Sequence, residues 1–279
     1  MEINTQQKQE FESKHFDSLR RLVTKHTGIK LADSKVEMVY RRFAPRIKKL
    51  GLDDFGEYCK ILKSDDYEEI TRFSNIITTN HTSFFRENHH FEYLSNTRLP
   101  ELKKKKSKSR RIRIWSAGCS SGEEAYSIAM VLLESIPDID CWDVKILATD
   151  INTDCLKKCE QAIYSGKSLE NISRLRLKRW FQCEEKNGRI RAQVRPELQS
   201  LITFKALNLM EEWPFSGQFD VILCRNVMIY FDKTTQKKLI DKFSRHQKTG
   251  DTLIIGHSEN ISMISDDYSI CGQTTYCRN

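Results

Sequence analysis

The sequence predicts an α/β protein: an open, mainly parallel β-sheet preceded by a helical domain. Three observations carry this reading. The first hundred residues show apolar stripes at helical spacing and no strand-like alternation. From about residue 111, short apolar runs alternate with helical segments, which is the order of a sheet built by crossover connections. Between the first such run and its helix lies a glycine- and serine-rich turn, AGCSSG at 117–122, which opens directly onto two acids, Glu123 and Glu124.

A chain of 279 residues, 39% hydrophobic and 30% charged, is long enough to bury one large core or two modest ones. No apolar run approaches the ~18–20 residues that span a bilayer. The opening residues, MEINTQQKQEFESKHF, are too polar and acidic for a secretory signal, so a cytoplasmic location is expected. The nine cysteines are odd in number and contain no C-x-x-C pair, which predicts reduced structural thiols. His89 and His90 are adjacent, diverge by about 100° on a helix, and make a poor chelating pair. No metal is expected. The formal charge of +8 suits a nucleic acid, an anionic surface or an acidic protein partner, and does not choose among them.

In chain order, SKVEMVYRRFAPRIKKLG is the clearest early helix. Ser34 and Glu37 read as a capping box, Val36, Val39, Tyr40, Phe43, Ile47 and Leu50 form the apolar stripe, and Gly51 supplies the stop. Pro45 predicts a kink or a break. Arg42, Arg46 and Lys49 share a face away from the stripe, where they form either a solvated face or a docking surface. Helices over about 54–64 and 66–78 follow. The run KKKKSKSRRIR reads as a charged connector, giving a helical domain over 1–100, a basic linker over 101–110 and a sheet domain over 111–279. RIRIWS, VKILATD, SLITFKALNL, FDVILCRN and TLIIGHS are the strand candidates, and SGEEAYSIAMVLLESI, NTDCLKKCEQAI and KTTQKKLIDKFSRH the intervening helices. Residues 177–198, with a KNG turn signal, read as a small antiparallel insertion, and YSICGQTTYCR as a closing hairpin near Gly272.

Ligands of open α/β sheets bind beyond the carboxyl ends of the strands. Those ends read Ser116-Ala117-Gly118, Thr149-Asp150, Asn208-Leu209 and Cys224-Arg225-Asn226, each a polar group on an apolar strand. Gly118 and Gly122 let the first turn approach a ligand closely. The turn is neither G-x-G-x-x-G nor a Walker sequence, and acids at the helix start repel pyrophosphate. They attract an amino group and a sulfonium. Asp150 stands where an acid accepts hydrogen bonds from ribose hydroxyls. A cationic nucleoside without phosphate, S-adenosylmethionine, fits that combination. Acids in a first helical turn also simply complement the helix dipole, which is the competing explanation for Glu123.

WSAGCSSGEEAYSIAM, IITTNHTSFFRENHHF (76–91), CRNVMIYFDKTTQ (224–236), GHSEN (256–260) and the run from Arg195 to Leu209 together resemble the signature segments of the chemotaxis receptor methyltransferases, the CheR family. The resemblance implies a Rossmann-like S-adenosylmethionine-dependent methyltransferase sheet with an N-terminal helical domain and a small β-subdomain. It implies methylation of glutamate side chains on the cytoplasmic part of chemoreceptors, with S-adenosylhomocysteine as product. On that basis Asn80, Thr82 and Arg86 are expected to reach the cofactor, Glu123 its methionine part and Asp150 its ribose. Asn208, Leu209, Arg225 and Asn226 are expected on the adenine side. Arg86 and Tyr230 are the expected catalytic residues, flanking the reacting groups. The resemblance favours the docking reading of Arg42, Arg46 and Lys49. Where many relatives read AASTGEEPY, this loop has Cys119 and lacks the proline.

Two rivals bear on the same residues. A nucleic-acid methyltransferase accords with the +8 charge, but no D/N-P-P-Y/F segment stands after the fourth strand and no proline precedes a cysteine. A non-catalytic cofactor-sensing or receptor-docking module accords with the fold, but not with four intact polar strand ends. No partner other than the receptor is implied, neither nucleic acid nor membrane insertion, and monomer is the default state.

Overall fold

The structure is a computed structural model in which residues 11–64, 66–186 and 188–279 are described. The chain divides into two compact units. One holds the described residues up to Thr79 together with Tyr230–Asp232, and the other holds Asn80–Ile229 with Lys233–Asn279.

In the first unit, helices α1 (Phe16–Thr27), α2 (Val36–Leu50), α3 (Phe55–Lys63) and α4 (Tyr67–Ile77) enclose a core of Phe11, Leu19, Val39, Phe43, Tyr58 and Phe73. Asp54 and Asp66 begin α3 and α4 by accepting backbone N–H bonds from Glu57 (2.9 Å) and from Glu68 (2.9 Å) and Glu69 (3.2 Å). Gly51 ends α2 in the left-handed conformation, as expected. Two local expectations fail. Ser34 lies inside a short 3₁₀ turn, Asp33–Lys35, and no side chain caps α2; Glu37 pairs with Arg41 instead, at 2.6 Å. The helix also runs unbroken through Pro45, because Pro45 and Arg41, whose carbonyl loses its donor, both face solvent.

The basic face of α2 is largely engaged within the unit. Arg42 donates to the carbonyls of Ile77 and Thr78 (3.0 Å) and to Thr79 Oγ1 (2.9 Å), satisfying the orphan carbonyls at the end of α4. Arg46, mostly buried, pairs with Glu69, which also accepts from the Tyr58 hydroxyl at 2.7 Å. Only Lys49 of the three stays exposed. Arg42 and Arg46 help hold the helical unit together.

In the second unit, α5 (His89–Tyr93) and α6 (Leu99–Lys105) precede β1 (Arg111–Ala117). Then follow α7 (Glu123–Ser135), β2 (Asp143–Asp150), α8 (Thr153–Gln161), β3 (Ile163–Ser165), α9 (Arg174–Trp180), β4 (Phe181–Lys186), β5 (Arg189–Val194), α10 (Pro196–Gln199), β6 (Ile202–Ala206) and β7 (Val221–Cys224). The chain ends through α11 (Lys233–Arg245), β8 (Thr252–Ile255), β9 (Tyr268–Gly272) and β10 (Thr275–Arg278). The seven-stranded sheet has the order β6-β2-β1-β7-β8-β10-β9, parallel except for the closing hairpin. The five expected parallel strands and the hairpin are all present.

The division expected at residue 100 falls at Thr79, and residues 101–110 are no connector. Leu99 and Leu102 of α6 are fully buried in the sheet unit's core, Lys106 pairs with Asp220, and buried Arg98 pairs with Asp251 at 3.1 Å. The insertion is a three-stranded antiparallel sheet, β3-β5-β4, whose first strand lies before the expected boundaries of 177–198; Asn187 of its turn signal is outside the described residues.

Helix α7 is buried from Glu123 to Leu132 because it packs both on β2 and β6 and beneath the segments 89–98 and 196–199. On the sheet's other face Trp115 is fully buried among Trp213, Phe219 and Phe243, its indole N–H donating to Thr149 Oγ1 at 2.9 Å.

Removing the acid of the buried pair in the helical unit leaves Arg46 uncompensated. Glu69→Ala is expected to lower stability by about 3 kcal/mol or more. Lys49→Ala is expected to change it by less than about 0.5 kcal/mol. Denaturant unfolding of the two variants checks the contrast.

Candidate active site

The chain leaves β1 outward to β2 and β6, then returns to β7 on the other side of β1, so the topological switch lies between the carboxyl ends of β1 and β7. The four polar strand ends named from the sequence are consecutive in the sheet, in the order Asn208, Asp150, Gly118 and Arg225. Leu207 N–H donates to the Asp150 carbonyl at 3.0 Å, which sets Asn208 beside the end of β2.

The first turn depends on its glycines. Gly118 (φ 88°) and Gly122 (φ 96°) are left-handed, and a Cβ on them would lie 2.5 Å from Val227 Cγ2 and 2.8 Å from the Tyr164 hydroxyl, respectively. Four of the five N–H groups of residues 118–122 are spent internally. Those of Gly118 and Cys119 bond to the Thr149 carbonyl (2.8 and 2.9 Å), that of Ser120 to Asp150 Oδ2 (2.7 Å) and that of Gly122 to the Cys119 carbonyl (3.0 Å). A phosphate cradle needs several such groups free together, which this turn does not offer.

Three buried carboxyl groups surround it. Asp150 accepts from Ser120 N–H and, at 2.8 Å, from Asn152 N–H; burial pushes its pKa up against those bonds. Glu124 and Glu123 are neighbours on α7 with different surroundings. Glu124 accepts from Ser116 Oγ (2.6 Å) and from Arg225 (3.0 Å); burial raises its pKa and the Arg225 charge opposes the rise. Glu123 accepts from Ser121 Oγ at 2.7 Å and, among the described residues, has no basic group at ion-pair distance. Burial raises its pKa as well. The site therefore holds a buried acid without a fixed counter-ion, and its donor set suits a cation.

Arg225 does not face the crevice as expected. Its guanidinium, 2% exposed, bridges Glu124 and Glu87 (3.3 Å), lies 5.4 Å above the Phe91 ring and donates to the Arg86 carbonyl. Asn226 is left-handed (φ 58°), with its carboxamide donating to Glu87 Oε1 at 3.2 Å. The loop after β7 is held by Glu259, which accepts the backbone N–H groups of Asn226 (3.0 Å), Ile229 (3.2 Å) and Gly256 (2.6 Å). Glu87 and Glu259 were missed as individual residues. Their signal was present: FFRE places an acid directly after Arg86, and GHSEN supplies Glu259 and His257.

Asn80 joins the site through its carbonyl, which accepts from Ser120 Oγ at 3.1 Å, and Thr82 is half-buried in the same segment. Arg86 is a third exposed and donates to the His81 carbonyl at 2.9 Å. The Asn208 side chain closes its own turn, accepting from Met210 N–H (3.1 Å) and donating to Glu211 (2.9 Å), while Leu209 is buried. Tyr230 groups with the helical unit, its carbonyl accepting from Lys30 N–H at 2.9 Å.

Residues 80–277 match the family model described as CheR methyltransferase, SAM binding domain, and residues 14–78 match CheR methyltransferase, all-alpha domain. The chain belongs to the CheR methyltransferase family. It is 44% identical over 242 residues to a probable chemotaxis protein methyltransferase of Rhizobium etli, covering 86% of this chain and 90% of that one. It is 40% identical to the chemotaxis protein methyltransferase of Escherichia coli, covering 94% and 90%, and 42% identical to that of Borreliella burgdorferi, covering 87% of each. The CheR chain is an S-adenosylmethionine-dependent methyltransferase, and its turn with most N–H groups already bonded, its buried Glu123 and its Asp150 fit that group.

A methyl group at Gly118 has no space and the wrong backbone. Gly118→Ala is expected to weaken binding of S-adenosylhomocysteine by about tenfold or more, roughly 1.4 kcal/mol. Titration calorimetry on folded variant checks this, and unchanged affinity would contradict the placement of the turn.

Proposed function

We propose that the protein transfers the methyl group of S-adenosylmethionine to glutamate side chains of chemoreceptors, forming glutamyl methyl esters. The observation that carries this reading is the buried Glu123, with no basic group at ion-pair distance among the described residues, beside a turn whose N–H groups are mostly bonded, within a chain of the CheR family. When bound, S-adenosylmethionine supplies an electrophilic methyl group on a sulfonium. Glu123 takes the ammonium of its methionine part, Asp150 the ribose hydroxyls, and Asn80, Thr82, Asn208, Leu209 and Asn226 the remaining contacts. Arg225 acts from behind, as a positioning residue.

A glutamate side chain, with a reference pKa of about 4.3, is already ionised at neutral pH. Its attack needs no general base. The residues have to orient the carboxylate, exclude water and bring the reacting atoms to roughly 3–3.5 Å. Arg86 orients the incoming carboxylate through a one-sided contact, since a bidentate clamp would hold the ground state as tightly as the transition state. Tyr230 keeps, on the family resemblance alone, its assignment as the second catalytic residue. The helical unit docks the receptor through the basic face of α2, where Lys49 is the exposed member and Arg42 and Arg46 are also engaged within the unit. No helix among the described residues is long and apolar enough to cross a membrane. On the family resemblance, the chain acts on receptors from the cytoplasmic side.

Incubation with methyl-tritiated S-adenosylmethionine and receptor-bearing membranes tests the reading. Base-labile, volatile label is expected in the receptor, because methyl esters release methanol in base and N-methyl groups do not. Arg86→Ala is expected to lower turnover roughly hundredfold. Label in nucleic acid, label stable to base, or full turnover by the variant would overturn the respective part of the proposal.

A further inference from the structure

Arg86 is held in an unusual backbone. The residues on both sides of it, Phe85 (φ 53°) and Glu87 (φ 56°), are left-handed, a conformation that non-glycine residues seldom occupy and that surrounding structure has to enforce. The enforcing contacts are specific. Ser127 Oγ accepts from Phe85 N–H at 3.0 Å, and Arg225 donates to the Arg86 carbonyl. Glu87 faces His257, Asn226 and Arg225 closely and, farther off, the His90 ring Nδ1 at 3.6 Å and Arg86 Nε at 3.9 Å. It accepts from the His257 backbone N–H (3.1 Å) and the Asn226 carboxamide (3.2 Å), meets the His257 ring Nδ1 at 2.6 Å, and lies 3.3 Å from the Arg225 guanidinium. Its side chain is 11% exposed. Burial pushes the Glu87 pKa up, but the bond to His257, the Arg225 charge and the Asn226 bond outweigh it and bring it down to about 2.

We propose that Glu87 is the positioning residue of the methyl-transfer site, pinning the left-handed turn that aims Arg86 to the loop after β7 and to His257. This rests on the assignment of Arg86 above and adds that Arg86 works only while its turn is fixed from outside the reacting groups. Glu87 is largely buried and bonded to the loops around it, so its loss acts on turnover through Arg86. Misplacement of a reacting group by about an ångström costs on the order of a hundredfold in rate.

The test is a double-mutant cycle on the full chain, with kcat and KM for receptor membranes measured separately. Glu87→Gln, which keeps the shape and removes the charge, is expected to lower kcat on the order of tenfold or more while KM for receptor changes less than about twofold. In an Arg86→Ala background the same substitution is expected to lower kcat no further. His257→Ala, whose side chain is largely exposed and leaves no buried charge, provides a second route should Glu87→Gln fold poorly. It is expected to give a smaller loss of kcat that also vanishes in the Arg86→Ala background. Losses that multiply with Arg86→Ala, or full kcat in a folded Glu87→Gln, overturn the positioning role. Full kcat in Arg86→Ala alone instead overturns the catalytic assignment on which it rests.

Discussion

The interaction on which the site depends is the bridge made by the Arg225 guanidinium between Glu124 and Glu87, at 3.0 and 3.3 Å and almost fully out of water. Glu124 belongs to the helix that follows β1, Glu87 to the segment before α5, and Arg225 to the end of β7. One cation thus ties three chain segments at the topological switch point. Burying such a group is costly, and its neutralisation by two acids at once makes the arrangement tolerable. Removing it would leave two carboxylates facing each other in a dry interior. The geometry of both loops follows from avoiding that state.

The same bridge divides the labour of the two adjacent acids. Glu124 is consumed by Arg225 and Ser116, so Glu123 alone is left for a ligand cation. The first turn bonds four of its N–H groups to Thr149, Asp150 and Cys119 and so leaves few donors for an anion. Buried carboxyl groups and bonded amides together suit a positively charged nucleoside better than one bearing phosphate.

Much of this was legible in the sequence. The strands of the parallel sheet are short apolar runs bounded by polar residues, and each carries its ligand-side group at its end, so both the sheet and the row of Asn208, Asp150, Gly118 and Arg225 could be read. Helical period showed which residues of α2 share a face, but it carries no information about what packs on that face. Arg42 and Arg46 therefore read as surface charges, although one caps α4 and the other is buried on Glu69. For the same reason Arg225 read as a ligand contact; its partners lie 101 and 138 residues away in the chain, beyond any local pattern. The strand β3 was hidden because three residues after a helix leave too short an alternation to detect.

The most direct test of the carboxyl-lined crevice is calorimetric titration of the full chain with S-adenosylhomocysteine across falling pH. On the proposed assignment the ligand's ammonium binds ionised Glu123, and burial raises the pKa values of Glu123 and Asp150 above their ordinary values. Affinity is full where both are ionised and is lost as pH falls through those raised values, so the decline is expected to begin at a higher pH than an ordinary carboxylate would produce. Affinity that stays level or rises as the acids protonate would contradict the account.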